Sequence, residues 1–128
     1  MQYQNSAGTT LMPDGKRVNW WNVSFFTYEE KNDEIIVEFK WKYKASIRAE
    51  KVTVGNLSNM RDYFRKWNLV PIGKNTYVNL SKILMIEEID HRRGPIDYTL
   101  LRFIFTDGFQ ENILIKSDSW NWWRSNLA

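Results

Sequence analysis

Across residues 34–44 the chain alternates with a period of two. Ile35, Val37, Phe39, Trp41 and Tyr43 are apolar, while Glu38, Lys40, Lys42 and Lys44 between them are charged. Successive side chains of an extended strand point to opposite faces, so this stretch is a strand with one apolar and one basic face, and a strand requires a sheet to pair with. The aromatic residues agree: Trp, Phe and Tyr make up 16% of the chain, and such side chains favour strands and supply much of a small core.

The same logic places the neighbours. Residues 18–28, around Val23-Ser24-Phe25-Phe26, read as a strand closed by a polar loop at 29–33, and residues 45–54 as the return partner of 34–44. Asn56 is positioned to cap a short amphipathic helix through Leu57, Met60, Phe64 and Trp67, which Pro71 limits. Residues 69–72, 77–80 and 83–89 read as short strands, followed by a polar connection at 90–95. Residues 98–105 and 111–115 form a hairpin across Thr106-Asp107-Gly108, and residues 117–127 a closing helix capped by Ser117 or Asp118. The fold class expected is therefore mostly β, antiparallel and multi-stranded, with one or two short helices.

A chain of 128 residues supports one hydrophobic core, and Pro13-Asp14-Gly15 marks a turn where structure starts. We expect a flexible N-terminal arm over 1–12 and a single domain over 13–128. The absence of cysteine fits a reducing compartment and removes thiol chemistry. No apolar run approaches a membrane span and the first residues lack a secretory pattern, so a cytoplasmic location is expected and the sequons at Asn22, Asn56 and Asn79 read as accidental.

Little in the sequence points to catalysis. His91 is the only histidine and lies in an Arg-rich stretch, which disfavours a His-based metal site or a serine triad. Glu87-Glu88 near Asp90 reads as a solvated strand end, and the six glycines form no phosphate-binding pattern. A non-enzymatic protein without metal or cofactor is expected, acting through a binding surface.

Three groups of cations mark candidate surfaces. Lys40, Lys42 and Lys44, with Arg48 and Lys51 against Glu50, form a basic ribbon suited either to a phosphate backbone or to protecting an exposed sheet edge. Arg92-Arg93 offers phosphate or guanine contacts, or a solvated loop. The third group comprises Lys74-Asn75-Thr76 and Lys116-Ser117. In the closing helix, Trp120 and Trp123 share a face suited to the core while Trp122 points elsewhere, leaving one indole for a protein or dimer contact or, less readily, for base stacking.

The order of these elements resembles the LytTR-type DNA-binding domain, the β-rich output module of many bacterial response regulators. The resemblance runs through Pro13-Asp14-Gly15, the strand from Asn22 to Glu29, Val54-Gly55-Asn56-Leu57 and the stretch from Pro71 to Leu80, whose Val78-Asn79-Leu80 matches the family's Val-Asn-Leu. Ile113-Leu114-Ile115-Lys116-Ser117 is similar to the strand that leads to the family's last helix. Two departures stand out: Gly73 occupies the place of a histidine, and Lys116 or Ser117 that of an arginine.

The resemblance spans nearly the whole chain and implies a free-standing domain without a receiver. It also implies a transcription regulator that reads major grooves of duplex DNA through loops. Lys74, Asn75, Lys116 and Ser117 would form the DNA-facing set, joined by Lys31 and Asn32 and by Arg92 and Arg93, with Trp120, Trp122 and Trp123 as an interaction surface for a second copy or a partner. The acidic neighbours Glu29, Glu30 and Asp33 oppose a phosphate at Lys31. The alternative is a protein-interaction module on the same scaffold that has lost DNA reading.

Overall fold

The computed structural model describes residues 9–55, 61 and 64–126. Its first hairpin joins β1 (Thr10–Leu11) to β2 (Arg17–Val18) through the Pro13-Asp14-Gly15 turn, where Gly15 has a φ of +89°. Met12 is buried, so the ordered chain starts before Pro13, whereas the arm was expected to run to residue 12. Asp14 fastens this hairpin to the main sheet: its carboxylate accepts from Thr53 N (2.9 Å) and Lys16 N (3.0 Å). The backbone donor of Thr53 is the foremost reason that the Asp14 carboxyl lies below its ordinary pKa.

The central sheet has five antiparallel strands in the order β5, β4, β3, β7, β6. They are β3 (Phe25–Lys31), β4 (Glu34–Tyr43), β5 (Ser46–Gly55), β6 (Leu69–Pro71) and β7 (Thr76–Asn79). The alternating stretch is β4, and Ile35, Val37 and Phe39 are buried as its pattern requires. The strand expected over 18–28 is interrupted by a 3-10 turn at Trp20–Asn22, which drives the Trp20 ring edge-on into Phe26, Phe39 and Phe64 with centroids 5.0–5.7 Å away. The loop expected at 29–33 is instead a tight hairpin. Asn32 and Asp33 take φ of +54° and +63°, the pair of left-handed residues that a two-residue turn matched to strand twist demands.

Residues 64–66 are helical and Phe64 is fully buried. Asn56, Leu57 and Met60 of the expected helix lie outside the described residues. Beyond β7 the three-stranded sheet has the order β10, β9, β8, from β8 (Ile83–Arg92), β9 (Tyr98–Phe105) and β10 (Gln110–Lys116). Its first strand runs through Asp90–Arg92, which the sequence placed in a loop; pairing with Leu100, Thr99 and Tyr98 holds these polar residues extended. A ten-residue helix, Ser117–Asn126, closes the chain. The fold is thus mostly β, in three antiparallel sheets with short helical segments. Among the described residues no helix is long and apolar enough to cross a membrane.

Two apolar clusters lie on opposite faces of the central sheet, and neighbouring residues on β3 and β7 are divided between them. Phe26 and Tyr77 join Trp20, Phe39, Phe64 and Leu69 on one face. Phe25 and Val78 face the other way, onto Leu101, Phe103, Phe105, Ile113 and Trp120 of the three-stranded sheet and the helix. Asn79, 0% exposed, ties the end of β7 to the 3-10 turn by donating to the carbonyls of Trp21 (3.2 Å) and Val23 (2.9 Å) and accepting from Ser81. An amide so enclosed has no room for a glycan, in keeping with an accidental sequon.

Candidate nucleic-acid interface

The β6–β7 connection is a tight turn closed by Ile72 N to Thr76 O (2.9 Å) and Thr76 Oγ1 to Lys74 O (2.8 Å). Gly73 and Asn75 both have positive φ there, +66° and +52°. A Cβ on Gly73 would sit 3.3 Å from Ile113 Cγ2 and 3.5 Å from the Leu114 carbonyl. The turn therefore rests directly on β10, and left-handed backbone together with close approach accounts for glycine where the resemblance leads one to look for histidine. Asn75 is fixed further by its carbonyl, which accepts from Tyr28 N at 3.0 Å.

That seating brings Lys74 beside Lys116, far from it in sequence. They line one cleft of about 490 Å³, with Gly73 and Lys74 on one wall and Tyr98, Leu114, Lys116 and Ser119 on the other. Strand register extends the group: Lys116 pairs with Tyr98 and Tyr98 pairs with Arg92, so these three share the outward face at the end of the three-stranded sheet. Arg93 is exposed just beyond. Lys31 and Asn32 lie past the Tyr28–Asn75 contact at the same end of the central sheet, because β3 runs antiparallel to β7. Among the described residues none of Lys31, Lys74, Arg92, Arg93 and Lys116 makes an ion pair.

Lys116 and Ser117, interchangeable in the sequence reading, are placed differently. The Lys116 side chain is exposed to the cleft. The Ser117 hydroxyl turns inward, 2.8 Å from Thr99 Oγ1, which is itself 3.0 Å from His91 Nδ1. Ser117 N donates to the Asp97 carbonyl (3.0 Å), anchoring the start of the helix. His91 thus has a structural partner in a fully buried threonine.

The helix explains its three tryptophans. Trp120 is buried and its Nε1 donates to Glu88 Oε1, which also receives Arg124 Nη1 at 2.8 Å. The indole donor first, and the guanidinium after it, hold the Glu88 carboxyl below the usual range. Trp123 is half-buried against the same cluster, and Trp122 is 65% exposed.

The basic ribbon lies elsewhere. β4 sits between β3 and β5, but its pairing with β3 stops at Phe39, so Lys40 and Lys42 lie on a stretch paired with β5 alone and the edge-protection reading stays open for them. Lys40 and Lys42 are half-buried, and Lys42 N donates to Asp107 of the β9–β10 turn (3.1 Å). Lys44 and Arg48 lie over the Tyr43 ring. These residues occupy the end of β4 opposite the Asn32-Asp33 turn, about 30 Å away along a ten-residue strand.

The sequence reading did not single out Tyr98 or Ser119 for the cleft, nor Glu88 as the partner of Trp120. Strand register places Tyr98, while the packing of the closing helix places Ser119 and brings Trp120 to Glu88, and no local pattern reports either. No protein-family model matches the chain, and no curated protein or solved structure matches it.

Proposed function

We propose that this chain is a LytTR-type regulator that binds duplex DNA through the end of the molecule where Lys74, Lys116 and Arg92 converge. The observation that carries the reading is the shared cleft: two lysines remote in sequence line one hollow, both without an acidic partner among the described residues. Cations held at fixed spacing on rigid strand ends suit a phosphate backbone, and Asn75 in a tight turn beside them suits a base edge. Lys31 and Asn32 form an outlying contact, weakened by Glu29, Glu30 and Asp33. A cytoplasmic location accompanies this reading.

Fluorescence anisotropy with random and genomic duplexes between about 50 and 200 mM salt tests it, since each phosphate contact contributes about 0.9 to the slope of log K against log salt. Affinity is expected to fall steeply with salt and to drop more than tenfold in Lys74→Glu and in Lys116→Glu, with a smaller loss in Lys31→Ala. Absence of binding at the lowest salt overturns the reading.

The second reading, a protein-interaction module, is favoured by one observation: Trp122 (65%) and Leu84 (69%) are largely exposed. It predicts that Trp122→Ala abolishes self-association or partner binding and that DNA is ignored.

A further inference from the structure

A second hollow, sharing no lining residue with the basic cleft, lies beside the β1–β2 hairpin where β4 runs on past its last pairing with β3, with a volume of about 550 Å³. Val18, Phe25, Phe39, Trp41 and Val52 line it, so its surface is mainly apolar, and its size falls in the range of small-molecule sites. Its charges are not balanced. Glu50, the one acidic residue of the lining, is taken by Lys16, whose Nζ is 2.7 Å from the carboxylate and 2.6 Å from the Lys51 carbonyl. Arg17 and Lys40 also line the hollow, Lys40 from the Phe25 side of β4 and Phe39 and Trp41 from the other, and among the described residues neither cation makes an ion pair.

We propose that this groove binds a small amphipathic carboxylate, its hydrocarbon or aromatic body on the Phe39, Trp41 and Val52 surface and its carboxylate between Arg17 and Lys40. The apolar lining selects a body that water does not favour, and two cations left uncompensated by the single engaged acid select a negative head. A cation is repelled by this charge arrangement, and the ammonium of a zwitterion offsets what its carboxylate gains. The Lys16–Glu50 bridge joins the hairpin to β5 along one side of the groove. This inference stands apart from the DNA reading, because it uses neither Lys74 nor Lys116.

The test titrates the full chain with naphthalene-2-carboxylate, following ¹H–¹⁵N chemical shifts, with the neutral amide 2-naphthamide as the control ligand. The carboxylate is expected to saturate with shifts concentrated at Val18, Asn19, Ser24 and Trp41, and to bind at least tenfold more tightly than the amide. Arg17→Gln combined with Lys40→Gln, two side chains outside the apolar clusters, should remove that tenfold preference while the rest of the spectrum stays folded. Lys74→Glu should leave it intact. Equal affinity for acid and amide, shifts centred on other residues, or no saturation in the millimolar range overturns the proposal.

Discussion

At the scale of single residues, Glu88 couples the closing helix to β8. Its carboxylate accepts from the Trp120 indole and from Arg124, and both partners favour the ionised form. A carboxyl lowered in the folded state contributes stability that is complete above its unfolded pKa, near 4.5, and is lost as pH falls through the lower folded value. Wild type and Glu88→Gln are therefore expected to differ by about 1 kcal/mol at pH 7, the modest figure reflecting a side chain still 35% exposed, and to converge as acid protonates the lowered Glu88 carboxyl. Thermal melts of both proteins across this range measure it; a difference that persists undiminished in acid refutes the role assigned to ionised Glu88. Gly73 is likewise set by its surroundings, since its left-handed backbone and its contact with β10 leave no room for a side chain.

Among the elements, the β3–β4 hairpin turns through two consecutive left-handed residues, neither of them glycine. Asn32 and Asp33 both hold left-handed backbone, which asparagine tolerates and aspartate accepts at some cost, while glycine takes it freely. Asp33→Gly is expected to raise stability by about 0.5 kcal/mol, read as a higher urea midpoint at unchanged slope. The same substitution removes one of the acids around Lys31, so DNA affinity should rise with it. A lowered midpoint would show that the Asp33 side chain, not its backbone, is what the turn needs.

On the scale of the whole molecule, β3 and β7 unite the two cores. Phe25 and Phe26 are adjacent in sequence and buried in different clusters, as are Val78 and Tyr77, so neither cluster can lose its wall without the other losing its own. Phe25→Ala, expected to cost about 3–5 kcal/mol, should reduce hydrogen-exchange protection by the same factor in β4 and in β9, although only β9 packs on the side of the lost ring. Loss confined to β9 would mean that the two halves unfold separately. This shared wall also orients the functional end: β3, β7, β8, β9 and β10 all deliver their ends to the side where Lys31, Lys74, Arg92 and Lys116 gather. Much of the architecture was legible in the chain. Alternation named β4 and its buried face, Asp107-Gly108 named the last hairpin, and helical spacing separated Trp122 from Trp120 and Trp123. Each of these is a local pattern, decided by which neighbours along the chain share a face. Whether β4 lay at an edge or inside the sheet, where the strand broken at Trp20 would turn, and that Lys74 would meet Lys116 were decided by the tertiary structure alone, because strand order and register are set by apolar faces finding one another across long stretches of chain.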